Sequence, residues 1–135
     1  MGYVKEWYLE NLKYLRKIYG KTRYDAEDYE WFRIEQFKLP PVYLNGNTKL
    51  LITTPGLNGI ENKYAWNFFI KKGLRRKDRK NIEHLYDVSL YNSLSDKNYA
   101  RLCVHPLNFK PSLNFIEGDN ICDLAEMVYG FLAKK

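Results

Sequence analysis

Cysteine is scarce in this chain, with two among 135 residues. Two thiols do not make a disulfide framework. The N-terminal stretch Met1-Gly2-Tyr3-Val4-Lys5-Glu6-Trp7 lacks the apolar core and small-residue cleavage site of an export signal. Both thiols are therefore expected to be reduced, and the chain cytoplasmic. Gly2 invites a myristoylation reading, but Trp7 stands where that signal wants Ser or Thr. No apolar run reaches the length of a membrane span, so no membrane partner is expected. Glycine-rich phosphate loops are missing too: Gly56 and Gly59 stand too far apart to cradle a phosphate. Histidine is limited to His84 and His105, which with Cys103 and Cys122 fit no recognised zinc spacing. Neither a metal nor a cofactor is expected. Internal repeats, low-complexity tracts and a second-domain linker are absent as well.

What the chain has is aromatic and apolar surface. Aromatics are 16% of residues, with 12 Tyr, and hydrophobic residues are 45%. That is enough apolar area to offset chain entropy in one folded domain, and 135 residues support one core. Charge is uneven. Residues 71–80 hold seven of the 22 basic residues and one of the 16 acids, so the net charge of +6 belongs to this segment and the remainder is neutral. A nucleic-acid reading would rest on those ten residues, which carry no interleaved aromatics for base stacking. They are expected to form a solvated, mobile loop.

Along the chain, Val4, Trp7, Tyr8, Leu12, Leu15, Ile18 and Tyr19 recur at helical spacing, predicting a helix over 3–19 that Gly20 stops. Lys5, Glu6, Lys13, Arg16 and Lys17 lie largely off that stripe. Residues 21–30, polar and acidic, read as a connector or short helical turn. Alternation over Trp31–Leu39 predicts a strand ended by Pro40-Pro41, and Asn45-Gly46 a tight turn. Thr48–Thr54 and Tyr64–Ile70 are two more strands, separated by Pro55-Gly56 and Asn58-Gly59. Residues 81–100 fit no single period. Tyr99–Val104 reads as a short strand or extended segment. Asp119 or Asn120 caps a last helix whose buried stripe is Ile121, Leu124, Ala125, Val128, Phe131 and Leu132. The order predicts an α+β domain: an N-terminal helix, an antiparallel β-meander and a C-terminal helix.

One stretch carries candidate chemistry: Cys103-Val104-His105-Pro106-Leu107-Asn108-Phe109-Lys110-Pro111. It sets a thiol and an imidazole two residues apart. A thiolate attacks acyl carbons well, and an imidazole can move a proton or shift the thiol pKa. On this pair alone, a buried thiol beside a surface histidine is the better reading. Cys122 falls on the helical stripe and reads as a small core residue.

Residues 31–135 resemble the ubiquitin-conjugating enzyme (UBC-like) fold, in the form of its divergent bacterial E2-like families. The resembling features are an opening helix, Phe37-Lys38-Leu39-Pro40-Pro41-Val42-Tyr43, Lys49-Leu50-Leu51-Ile52-Thr53-Thr54-Pro55, a third strand, Cys103-x-His105, and Phe109-Lys110-Pro111 before the last helix. In that family a cysteine precedes a Trp-x-Pro element and carries a ubiquitin-like protein as a thioester. Here Cys103 takes that place, with Phe109 for Trp. The sequence departs from the family in that His105-Pro106 follows the cysteine rather than preceding it.

The resemblance implies one UBC-like domain over 1–135 acting as an E2-type transferase. An E1-like activating enzyme would load a ubiquitin-like protein onto Cys103, and a protein substrate would receive it. His105, Asn98 or Asn108 would steady the oxyanion or orient the nucleophile, and Asn92 is a further asparagine for that role. Lys13, Arg16 and Lys17 on the first helix would contact the activating enzyme, with Arg75 and Arg76 adding to that surface. Two rival readings are an inactive UBC-like binding module and a small basic nucleic-acid-binding protein using residues 71–80.

Overall fold

A computed structural model describes residues 2–82, 85–86, 98–106 and 108–134. His84 and Asn92 lie outside the described residues. The elements in chain order are α1 (Gly2–Tyr19), β1 (Thr22–Tyr24), β2 (Trp31–Lys38), β3 (Asn47–Thr53), β4 (Asn67–Lys71), β5 (Leu85–Tyr86), β6 (Tyr99–Leu102) and α2 (Ile121–Leu132). The strands form one antiparallel sheet in the order β1-β2-β3-β4-β6-β5. The α+β architecture with a helix at each end therefore holds, and β2, β3 and β4 are the expected meander. No helix among the described residues is long and apolar enough to cross a membrane.

Both helices pack on one face of the sheet. Phe32 and Ile34 of β2, Leu50 and Ile52 of β3, Phe68 and Ile70 of β4 and Leu102 of β6 point to that side. They meet Trp7, Tyr8, Leu12 and Leu15 of α1, and Ile121, Leu124, Ala125, Val128 and Leu132 of α2. The inward residues of β2 run Phe32, Ile34, Phe37, a spacing that strict alternation would not keep on one face. A β-bulge between Ile34 and Phe37 admits one extra residue and returns Phe37 to the core. On the other face Leu51, Phe69 and Tyr99 form a smaller buried cluster with Trp31 beside it.

Several sequence expectations need correction. Residues 21–30 contain an edge strand, β1, as well as a connector. Its continuation is turned by Asp25, whose carboxylate accepts from the backbone N–H groups of Glu27, Asp28 and Glu30. Tyr64 belongs to a short 3-10 turn (Lys63–Ala65) and not to the third strand, because Asn62 caps that turn by accepting from the Tyr64 N–H. Ile18 is 57% exposed, although Tyr19 beside it packs on Phe37 of β2, and Gly20 at φ 81 then ends the helix. A buried polar residue, Asn11, takes a place on the inner stripe of α1. Its amide donates to the Trp7 carbonyl at 2.9 Å and accepts from the Ile121 N–H at 2.7 Å, pinning the start of α2 to α1.

Beyond Lys71 at the end of β4, the basic segment is a loop built around one of its own cations. Arg76 is 8% exposed and makes two bonds to the Asp78 carboxylate, at 2.9 and 2.7 Å. It also donates to the Lys134 carbonyl at 2.8 Å and lies over the Tyr43 ring. Backbone bonds from Leu44 to Arg75 and from Lys77 to Val42 tie the loop to residues 42–44.

Candidate active site around Cys103

β6 is anchored by Leu102, which is 1% exposed in the main core. The strand ends there because the Val104 N–H donates back to the Leu102 carbonyl at 2.9 Å, a three-residue turn centred on Cys103. Cys103 is exposed, and Cys122 is buried on α2 as expected. Burial, helped by the Asp123 and Glu126 carboxylates, pushes the Cys122 thiol up to about 11. The two thiols therefore differ in access and in environment, and only Cys103 is open to an incoming acyl group.

The chain beyond Cys103 has no regular structure as far as the buried Pro106, where a turn closes with the Phe109 N–H donating to the Pro106 carbonyl at 3.1 Å. Phe109 fixes this turn by setting its ring edge-on to Trp66, at a centroid distance of 5.3 Å. The His105 ring stands edge-on to Tyr64 at 6.1 Å. Lys110 and Asp119 then clasp the neck of a loop: the Asp119 carboxylate accepts from the Lys110 N–H at 2.8 Å, and the Asp119 N–H returns to the Lys110 carbonyl at 3.0 Å. Gly118 makes this closure possible, because a Cβ there would fall 2.4 Å from the Ser112 nitrogen. Asn120 caps α2 in a reciprocal box with Asp123, at 3.1 and 2.8 Å.

These segments enclose a recess of about 410 Å³ next to Cys103 along the chain, lined by His105, Pro106, Asn108, Phe109, Asp119, Asp123, Leu124 and Met127. The structure thus gathers His105 and Asn108 into one concavity. It does not bring Asn98 there. Asn98 precedes β6 at its other end, roughly 16 Å from Cys103 at the usual strand rise, and its carbonyl accepts from the Lys72 N–H. No hydrogen bond joins Cys103 to His105 among the described residues. Nor do those residues contain a group of three or more His, Cys, Asp or Glu placed to hold a metal.

The five cations read as partner contacts separate into two kinds. Lys13, Lys17 and Arg75 are exposed. Arg16 spends its guanidinium on the Thr22 carbonyl, at 3.3 and 3.2 Å, and lies over Tyr24, so it joins α1 to β1. Arg76 is committed to Asp78 and to the end of α2. Sequence reasoning missed Asp119 and Asp123 as members of the recess. The Asn120-x-x-Asp123 spacing at a helix start was the available signal for the second.

No family model, curated protein or solved structure matches this chain.

Proposed function

We propose that this chain is an E2-like conjugating enzyme that carries a ubiquitin-like protein as a thioester on Cys103. The observation supporting this reading is the placement of Cys103: an exposed thiol on a tight turn, directly after a core-anchored strand and directly before a fixed recess. An acyl carrier needs such a thiol, reachable by a large partner yet held on a rigid base.

In the proposed reaction the Cys103 thiolate attacks the carbonyl carbon of the modifier's C-terminus, held as a thioester on an E1-like activating enzyme. The new C–S bond forms as the activating enzyme's thiolate leaves. An acceptor amine then attacks the same carbon. The C–N bond forms, the Cys103 sulfur departs with the electron pair, and the amine's proton passes to solvent or to the His105 imidazole. The Asn108 amide and the His105 ring are the polar groups nearest along the chain for steadying the developing oxyanion. Lys13, Lys17 and Arg75 supply exposed charge for the activating enzyme.

Incubation with an activating enzyme, its modifier and ATP is expected to give an adduct on Cys103 that thiol reductant releases. Cys103→Ser should lose that reducible adduct. A reducible adduct that survives the substitution overturns the assignment. A second reading, a binding module on the same scaffold, draws on the missing hydrogen bond between Cys103 and His105. It predicts partner binding unchanged in Cys103→Ser and no adduct in either protein.

A further inference from the structure

The exposed cations of the basic loop sit at one end of the sheet, and Cys103 sits at the other. Lys38 closes β2, Asn47 opens β3, Lys71 closes β4 and Tyr99 opens β6, so the loops 39–46 and 72–80 leave from the same end. Leu102 closes β6 at the opposite end, where Cys103 follows it. That opposite end is acidic. The β1–β2 connection carries Asp25, Glu27, Asp28 and Glu30, the β3–β4 connection carries Glu61, and Lys63 is the one cation of the two connections. The protein is therefore polarised along its strands. At the basic end the two loops meet in an antiparallel bridge with Tyr43 opposite Arg76. The Leu44 N–H donates to the Arg75 carbonyl at 2.8 Å on one side of it, and the Lys77 N–H to the Val42 carbonyl at 2.7 Å on the other. Alternation turns Tyr43 and Arg76 inward, guanidinium over ring, and turns Val42, Leu44, Arg75 and Lys77 outward. The outward side thus sets an apolar pair, with Leu44 66% exposed, against a cationic pair. Lys71, Lys72, Arg79 and Lys80 of the same segment are exposed too, and its one acid, Asp78, is paired with Arg76.

Such a surface matches a partner that is anionic over a broad area and also admits an apolar side chain. A cluster of about four to eight Lys and Arg is what attracts a protein to anionic headgroups. An exposed leucine among them gains further by entering the acyl boundary. A nucleic-acid duplex offers that leucine no such medium, and the segment has no aromatic platform for unpaired bases. We infer that this end of the protein adsorbs on an anionic lipid bilayer, its cations at the headgroups and Leu44 in the acyl boundary. The expectation of no membrane partner followed from the lack of a spanning run, and adsorption needs none. In this pose Cys103, at the far end of β6, faces away from the bilayer. The inference does not depend on the thioester reading.

Co-sedimentation of the full chain with vesicles tests this. Mixed phosphatidylcholine–phosphatidylglycerol vesicles are expected to bind the protein, pure phosphatidylcholine vesicles to leave it in solution, and added salt to release it. Lys72→Gln, Lys77→Gln and Lys80→Gln combined should weaken binding to the mixed vesicles about a hundredfold. Leu44→Ser should weaken it several-fold and leave retention on heparin unchanged, which separates a bilayer from a plain polyanion. Neither variant should move the thermal midpoint appreciably, so that lost binding is not lost folding. Equal binding to neutral and mixed vesicles, binding to neither, or vesicle binding untouched by Leu44→Ser overturns the inference. A mixed-sequence DNA duplex that strips the protein from mixed vesicles at matched anionic charge also overturns it and assigns the surface to nucleic acid. Cys103 reports the pose: a maleimide should alkylate it as fast on vesicles as in solution, and protection of the thiol by vesicles overturns that orientation.

Discussion

Single residues in this protein act through the company they keep, and the two thiols are the plainest case. In the folded protein an alkylating reagent is expected to add once, at Cys103, and to add a second time only after denaturant exposes Cys122. Intact-mass spectrometry reads this directly, and two adducts formed at equal rates in the native protein would contradict the placement. The buried thiol also makes stability depend on pH. Cys122 ionises near 9.0 in an unfolded chain and near 11 in the folded one, because burial disfavours its anion. Between those values the unfolded state binds fewer protons, so stability falls as pH rises through this window, and the thiol contributes no further slope above it. Cys122→Ala is expected to flatten the fall in urea midpoint between pH 9 and 11, and an unchanged slope would refute the cause. Asn11 is a third such residue. Asn11→Leu would fill similar space but strand the buried Ile121 N–H, at a cost of about 1–3 kcal/mol in chemical denaturation.

Elements are held where single residues close their ends, and α2 is closed at both. The Asn120–Asp123 box satisfies its first turn. At the other end Tyr43 donates to the Leu132 carbonyl at 3.0 Å, and Arg76 donates to Lys134. Tyr43→Phe removes one of these bonds and should cost about 1 kcal/mol. Amide exchange should quicken in the last turn of α2 while the first turn keeps its protection, and uniform loss of protection would show that the bond is not local. Neither C-terminal partner was legible beforehand, because Tyr43 and Arg76 are far from α2 in sequence and only the fold unites them. The sequence could show what repeats. The stripes of α1 and α2 and the alternation of β2 and β3 recur over enough residues to fix a period. It could not show β1, a three-residue edge strand inside an acidic run. The exposure of Ile18 was hidden too, since periodicity says which side of a helix is apolar and not how far around that side the packing reaches. At the candidate site, Cys103 and His105 were visible as neighbours in the chain. Asp119 and Asp123 were not, because the Lys110–Asp119 clasp is what folds them back against Asn108 and Phe109.

Across the whole molecule, the net charge and the fold meet in the same ten residues. The segment 71–80 carries the full +6, yet its cations are not equivalent. Lys71, Lys72, Arg75, Lys77, Arg79 and Lys80 are exposed, and Arg76 is drawn inward, its guanidinium held well above its ordinary pKa by the Asp78 carboxylate. Asp78 is in turn held well below the usual carboxylate range by Arg76 and accepts from the Lys80 N–H, so one ion pair shapes the loop that displays the other charges. Association with polyanions is governed by the displayed cations, and stability by the inward one. Replacing the exposed cations by Gln, two or three at a time, should lower retention on heparin stepwise and shift the thermal midpoint little, as for most exposed substitutions. Arg76→Gln should do the reverse: nearly unchanged retention with a clear loss of thermal stability, because the end of α2 loses a donor and Asp78 loses its partner. If Arg76→Gln lowered retention as much as an exposed substitution and left the midpoint in place, the guanidinium would belong to the surface and not to the fold.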